Sequence, residues 1–256
     1  MTRTLVIANQ KGGVGKSTSV INLGVALAEK GARVLMIDLD PQGGLTAGFG
    51  VDSHDVRRST FSMIMYSNVS LARVVRPVRK NLALVPASID LAAAEIQLAS
   101  APGRVQRIRR TLQQNRIPFD YVFIDTPPGL GILTANGLVA ADEVLIPVQC
   151  QYLAMRGVRA LMDTIVRVKN SVNKPLKLAG LFGTMYRPES QHAQEVVDEL
   201  RSVFGPKMFK TLIHYDDAVA EAPVVGLSVL EYVPRHPIAQ GYRALAEEVA
   251  GGRQES

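Results

Sequence analysis

The chain has 256 residues, 47% hydrophobic and 20% charged, with 21 glycines and 14 prolines spread along it. These are globular values and exclude a disordered, collagenous or fibrous repeat protein. The single cysteine, Cys150, excludes an internal disulfide and a four-thiolate metal or iron–sulfur centre within one chain. No apolar run reaches the length of a membrane span and no cleavable signal opens the chain, so a cytoplasmic protein that does not enter the membrane is expected.

Apolar runs of strand length alternate with helix-length periodic segments from end to end, and no linker divides them. The pattern predicts a single domain over 1–256 with an α/β, doubly wound, mainly parallel sheet and helices on both faces. The predicted strands are Thr4–Ala8, Arg33–Ile37, Leu82–Pro86, Tyr121–Ile124, Val144–Val148, Leu178–Met185 and Phe209–Ile213. Between them the predicted helices are Ser17–Lys30, Leu91–Ala99, Arg104–Asn115, Leu133–Ala140, Met155–Val172, Glu189–Val203 and Ile238–Val249. Residues 250–256 are polar or small and read as a frayed tail.

The net charge of +6 is unevenly placed: residues 1–56 balance to zero, 57–116 carry +9 and 117–256 carry −3. The basic stretch invites a polyanion. In the predicted helix Arg104–Asn115, spacings of three residues bring Arg104, Arg107 and Arg110 close together on one side. No aromatic residue is interleaved, so binding there would be to phosphates and indifferent to sequence; a plain solvated face is the alternative.

The strongest local signal follows the first strand. Lys11-Gly12-Gly13-Val14-Gly15-Lys16-Ser17-Thr18 leads into a helix with an apolar face. Its glycines let successive amides curl into one cavity, where the helix N-terminus adds partial positive charge, a cradle for polyphosphate. Lys16 would reach the β and γ phosphates and the Ser17 hydroxyl would be one ligand of a magnesium ion. The usual first glycine of such a loop is Gln10 here, and a second lysine, Lys11, follows. A cation at that outer lip can cross a two-fold interface to a nucleotide held by another subunit, placing two ATPs between two protomers. Asp125, at the end of a buried strand, stands where a carboxylate can hold a water of the magnesium shell; capping a turn is its alternative.

The Lys-Gly-Gly-x-Gly-Lys-Ser/Thr loop resembles that of the deviant P-loop ATPases of the ParA, Soj and MinD kind. Asp38-Leu39-Asp40-Pro41-Gln42-Gly43 looks like the family's switch I, and Asp125-Thr126-Pro127-Pro128 like its Walker B and switch II. Pro147-Val148-Gln149-Cys150-Gln151-Tyr152-Leu153-Ala154 and Ala220-Glu221-Ala222-Pro223 match further segments, closest to the small chromosomal Soj-like type. The resemblance implies an ATPase that needs ATP and Mg2+, forms a homodimer with ATP, binds non-specific DNA on the nucleoid and partitions chromosome or plasmid DNA. Its turnover would be weak until stimulated by a ParB-like partner, or by an adaptor of a protein cargo. It implies that Asp40 orients the attacking water and stands near the metal with Ser17 and Asp125. Asp38 would support the loop, and Met185 and His214 would lie near the adenine.

Three departures qualify the carry-over. Gly44 stands where the family has asparagine, and Arg156 replaces a glutamate. The segment usually carrying DNA-contacting arginines reads Ile213-His214-Tyr215-Asp216-Asp217-Ala218, so those roles do not transfer to Tyr215 or Ala218. A MinD-like membrane-cycling regulator would need a basic amphipathic C-terminal helix, which Ile238–Val249 is not, and a small-molecule ligase on the same fold stays open.

Overall fold

A computed structural model describes residues 2–66, 69–98, 100–151 and 154–251. In chain order the elements are β1 (Arg3–Ile7), α1 (Lys16–Glu29), β2 (Val34–Asp38), α2 (Gly44–Ala47), α3 (Thr60–Met65), α4 (Leu71–Val74), β3 (Arg76–Arg79) and β4 (Leu82–Val85). There follow α5 (Leu91–Gln97), α6 (Arg107–Gln113), β5 (Tyr121–Asp125), α7 (Ile132–Ala140), β6 (Glu143–Gln149), α8 (Ala154–Ser171) and β7 (Lys177–Thr184). The chain then forms α9 (Gln191–Phe204), α10 (Ala218–Glu221), α11 (Val229–Tyr232) and α12 (Pro237–Gly251).

The strands form one sheet in the order β3-β4-β2-β5-β1-β6-β7, parallel except for β3. Period-two alternation divides its core in two. Leu5, Ile7, Met36 and Phe123 pack under α1 and α12 with Leu23, Tyr242 and Leu245. Val6, Leu35, Ile37, Val122 and Ile124 pack on the opposite face with Leu133, Leu161 and Leu200. Both faces are covered, which is why the central strands read as continuous apolar runs.

The architecture is the expected doubly wound one, with four local corrections. Phe209–Ile213 is no strand. Phe209 and Ile213 donate amide hydrogen bonds to Leu181 and Gly183 of β7, but the intervening amides of Lys210 and Thr211 donate to the Glu248 carboxylate at 2.8 and 2.7 Å. A side chain of α12 thus takes the donors that a ladder would have used. Antiparallel β3 was not expected, because Arg76-Pro77-Val78-Arg79 is half polar and proline is tolerated only at an edge.

The helix expected over Arg104–Asn115 begins only at Arg107. Gly103 turns the chain at φ +64°, and the Asn136 side chain of α7 accepts from the Arg107 amide and donates to the Arg104 carbonyl. Arg104 therefore sits in a turn, and the helical spacing that was to join it to Arg107 does not apply. At the other end, α12 runs through Ala250 to Gly251 rather than fraying at 250. Ala99, Tyr152, Leu153 and residues 252–256 lie outside the described residues.

Candidate functional site

The site is assembled at the C-terminal ends of β1, β2, β5 and β6, the edge at which parallel α/β sheets present ligands. The loop after β1 is anchored first. Asn9 Nδ2 donates to the Pro147 carbonyl of β6 at 2.7 Å, and its Oδ1 accepts from the Lys11 amide at 3.0 Å. Gly13 and Gly15 then take φ of +71° and +83°, left-handed values costly to any residue with a Cβ. Thr184 Oγ1 of β7 donates to the Val14 carbonyl at 3.0 Å and fixes the far side of the loop. α1 starts at Lys16 without a side-chain cap, so its first amides are available to an anion.

Lys16 is only 6% exposed, and its Nζ donates to the Lys11 carbonyl at 3.3 Å. Burial lowers its pKa, while the facing charges of Asp125 and Asp40 oppose that shift. A buried ammonium at the mouth of a helix N-terminus is a cation suited to a multiply charged anion.

Two carboxylates face it, Asp125 and Asp40, and the register of the sheet sets a third beside the first: Asp38 pairs with Asp125 across β2 and β5. Asp38 is pinned in place. Its Oδ1 accepts from the Asp40 amide at 3.0 Å, and its Oδ2 from the Thr46 amide and hydroxyl at 2.9 and 2.6 Å. Burial nevertheless raises its pKa to about 6. Asp125 is fully buried, and neither oxygen has a hydrogen-bond partner among the described residues. Burial, then the Asp38 charge, push its pKa well above the usual carboxylate range; the facing Ser17 hydroxyl and Lys16 pull it back without completing a bond. Asp40 anchors its own turn by accepting from the Gln42 amide on Oδ1 at 2.9 Å.

An orphaned buried carboxylate beside a hydroxyl and an ammonium fits a hydrated divalent cation, whose water would satisfy both oxygens. No group of three metal-ligating side chains occurs among the described residues, so such an ion would depend on one or two side chains, phosphate and water. The free protein carries the cost. Because the folded Asp125 and Asp38 hold a proton more tightly than unfolded carboxylates do, the stability they contribute is complete below pH ~4 and is lost as pH rises through neutrality. Asp125→Asn should flatten that decline in a melting series from pH 4 to 8. At pH 7 it should raise the melting temperature of the nucleotide-free protein, because a neutral amide in that place carries no ionisation cost. A destabilised Asp125→Asn protein at pH 7 would mean that the carboxylate is not strained.

The resemblance put Met185 and His214 together, and the fold does bring them into one cleft of about 240 Å3 with Gly15, Thr18 and Thr184. Met185 has φ +52°, unusual for a residue with a side chain. His214 packs edge-on to Tyr186 with centroids 5.4 Å apart, and the Arg187 guanidinium lies 3.9 Å over the Tyr215 ring. The segment expected to offer arginines instead presents a capped aromatic. Lys11 is exposed, its Nζ hydrogen-bonded to Gln149 Oε1 at 3.0 Å.

The basic cluster is separate from this crevice in its contacts. Arg104 and Arg110 are exposed, Arg107 is half-buried with an Nε that has no partner among the described residues, and the Arg110 guanidinium lies against Gly103. Arg109 donates to the Val172 carbonyl at 3.0 Å. Sequence reasoning gave no role to Thr46, Asn136 and Gln149, each a polar residue bonded to a residue outside its own element. Cys150, buried with its thiol pushed up to about 11, is chemically quiet.

A glycine loop feeding a buried lysine into a helix, with an acidic strand end beside it, defines a P-loop nucleotide-binding protein of the doubly wound class. Comparison with known proteins agrees: a family model described as AAA domain matches residues 2–178. The "Chromosome-partitioning ATPase Soj" of Treponema pallidum is 41% identical, with 97% of each chain covered. The "Chromosome partitioning protein ParA" of Caulobacter vibrioides is 41% identical over 96% of this chain and 93% of that one. A crystal structure of "Cobyrinic Acid a,c-diamide synthase" from Mycobacterium smegmatis with bound ADP and magnesium superposes with a TM-score of 0.86 at 35% identity, covering 100% of this chain and 96% of that one. The chain belongs to the ParA and Soj family of P-loop ATPases.

Proposed function

We propose that this protein is a ParA-like positioning ATPase. It binds ATP with magnesium, pairs into a homodimer around two nucleotides, holds DNA without reading its sequence, and partitions chromosome or plasmid DNA by cycling through hydrolysis. The observation that carries the ATPase site is the unpartnered, buried Asp125 carboxylate facing Ser17 and Lys16 at the mouth of the glycine loop. The family relationship to Soj and ParA carries the rest.

In this reading the amides from Gly12 to Lys16 and the uncapped first turn of α1, including Thr18, cradle the phosphates, with Lys16 on the β and γ groups. Ser17 would ligate a magnesium ion and Asp125, with Asp40 nearby, would hold water of its shell, and the ion would neutralise charge on the triphosphate. Asp38 belongs to the ATP-binding set through the segment that it supports. It holds Asp40 and Thr46 in register, and Asp40 orients the attacking water. Lys11 acts on the nucleotide of the other protomer. The cleft of Met185 and His214 takes the adenine.

The ATP dimer joins two basic faces, so hydrolysis, stimulated by a ParB-like partner, releases the nucleoid. No described helix is long and apolar enough to cross a membrane. Protein cargo is a second reading, favoured by Tyr215 and Ala218 standing where the family carries arginines. A ligase reading draws on the likeness to the diamide synthase.

A mobility shift on random-sequence DNA with ATP, ADP or no nucleotide separates the ligase reading from the positioning ATPase. A partition ATPase should shift DNA with ATP alone, whereas a ligase should not respond. Replacing Arg104, Arg107 and Arg110 by alanine should weaken that binding equally for every sequence. It should flatten the slope of log affinity against log salt by ~0.9 for each phosphate that the variant no longer neutralises. An unchanged slope would move the DNA surface away from α6.

A further inference from the structure

One side chain joins the two clefts of the site. Gln149 is the last residue of β6, next to Thr184 of β7 in the sheet. Its Oε1 accepts from Lys11 Nζ at 3.0 Å, and its Nε2 donates to Met185 Sδ at 3.2 Å. Lys11 and Gln149 line a cleft of about 340 Å3 with Asn9, Val14 and Gly157, while Met185 lines the neighbouring 240 Å3 cleft. The amide is therefore oriented by both ends at once: an acceptor toward a cation, a donor toward a soft sulfur.

We propose that Gln149 is a positioning residue that holds Lys11 against its own protomer and connects that hold to the occupancy of the Met185 cleft, which rests on the reading of that cleft as the base site and of Lys11 as the residue that crosses to a second protomer. Lys11 is a flexible, exposed cation whose backbone is fixed by Asn9, so its reach is decided by side-chain rotamers alone. A carboxamide acceptor biases that freedom, because the hydrogen bond favours the rotamers that point Nζ at Gln149. The opposite end of the same amide is tied to a methionine held at φ +52°, on the wall of the second cleft. An aromatic base that displaces Met185 withdraws the partner that orients Nε2, and the amide turns away from Lys11. Base binding thus frees the lysine before a partner protomer arrives.

The test reads Lys11 directly, without requiring a dimer. The full chain, dilute and free of nucleotide, is exposed to an amine-acetylating reagent, and the rate at Lys11 is followed by peptide mass spectrometry, with other lysines as internal controls. Gln149→Met keeps the length of the side chain but lacks the amide that accepts from Lys11, and Lys11 should label about three- to tenfold faster. Gln149→Glu keeps an acceptor and should label at the wild-type rate or slower, a rescue that simple disruption of β6 would not give. Adenosine, whose binding is followed by calorimetry, should raise Lys11 labelling in the wild type and leave Gln149→Met unchanged.

Equal labelling in wild type and Gln149→Met overturns the hold on Lys11. Adenosine that binds with its own heat but leaves wild-type labelling unchanged overturns the connection to Met185. Failure of adenosine to bind overturns the base-site reading and with it the connection, while the Gln149→Met result still decides the hold. Failure of the protein to dimerise with ATP refutes the trans role of Lys11 and leaves all of these labelling outcomes intact.

Discussion

Lys16→Ala should lower ATP affinity by at least about a hundredfold in calorimetry with magnesium present. The side chain is buried at the start of α1, and its ammonium already lies among Asp125, Asp40 and the Lys11 carbonyl. In the ATP complex it would make charged hydrogen bonds to two phosphates, each worth ~1.5–3 kcal/mol. Their loss alone reaches the hundredfold mark. The amides of Gly13 to Lys16 stay in place, because the loop is anchored by Asn9 and Thr184 rather than by the lysine. The variant should therefore fold. Its melting temperature should nonetheless fall with rising pH more steeply than the wild type's, since the cation that restrains the ionisation cost at Asp125 is gone. ATP affinity within a few-fold of wild type would remove Lys16 from the phosphate site.

The elements that carry this prediction were legible because their signals are local. β1, β2 and β5 each carry an apolar run through their centre, and the glycine loop is bounded by a strand and a helix within residues 3–29. Positive φ at Gly13 and Gly15 follows from composition at those positions alone. What stayed hidden depends on register and on distant partners. That Asp38 and Asp125 share a rung follows from β2 pairing with β5, which no spacing along the chain announces. Thr46, which satisfies one oxygen of Asp38, sits on a four-residue helix too short for periodicity to reveal. Arg104 was misplaced because its carbonyl is claimed by Asn136, thirty-two residues away. Glu248 abolished a strand in the same way, with two hydrogen bonds from another element. Side chains that take backbone donors and acceptors are the recurring reason that strand and helix limits moved here.

Asp40→Ala should separate binding from chemistry. The residue leaves the end of β2 in a turn that the Gly43 amide closes on its carbonyl at 2.9 Å and that two side-chain bonds complete: its amide donates to Asp38 Oδ1, and its Oδ1 accepts from the Gln42 amide. The first survives the substitution and the second does not, so the backbone keeps its direction while the loop tip loosens. The other oxygen, Oδ2, has no hydrogen-bond partner among the described residues, and the carboxylate stands close enough to Lys16 for their charges to interact. That geometry suits a carboxylate that accepts a proton from water, a role worth ~10²–10⁴ in rate. Turnover should fall by at least about a hundredfold, with ATP affinity within about threefold of wild type, since Lys16, Ser17 and the loop amides are untouched. If hydrolysis is what separates the protomers, the variant should also persist as a dimer in ATP and magnesium during sizing, where the wild type decays to monomer as ATP is consumed. A variant that turns over normally would shift the water-orienting role away from switch I. One that neither hydrolyses nor dimerises would show that the turn after β2 builds the interface rather than the reaction.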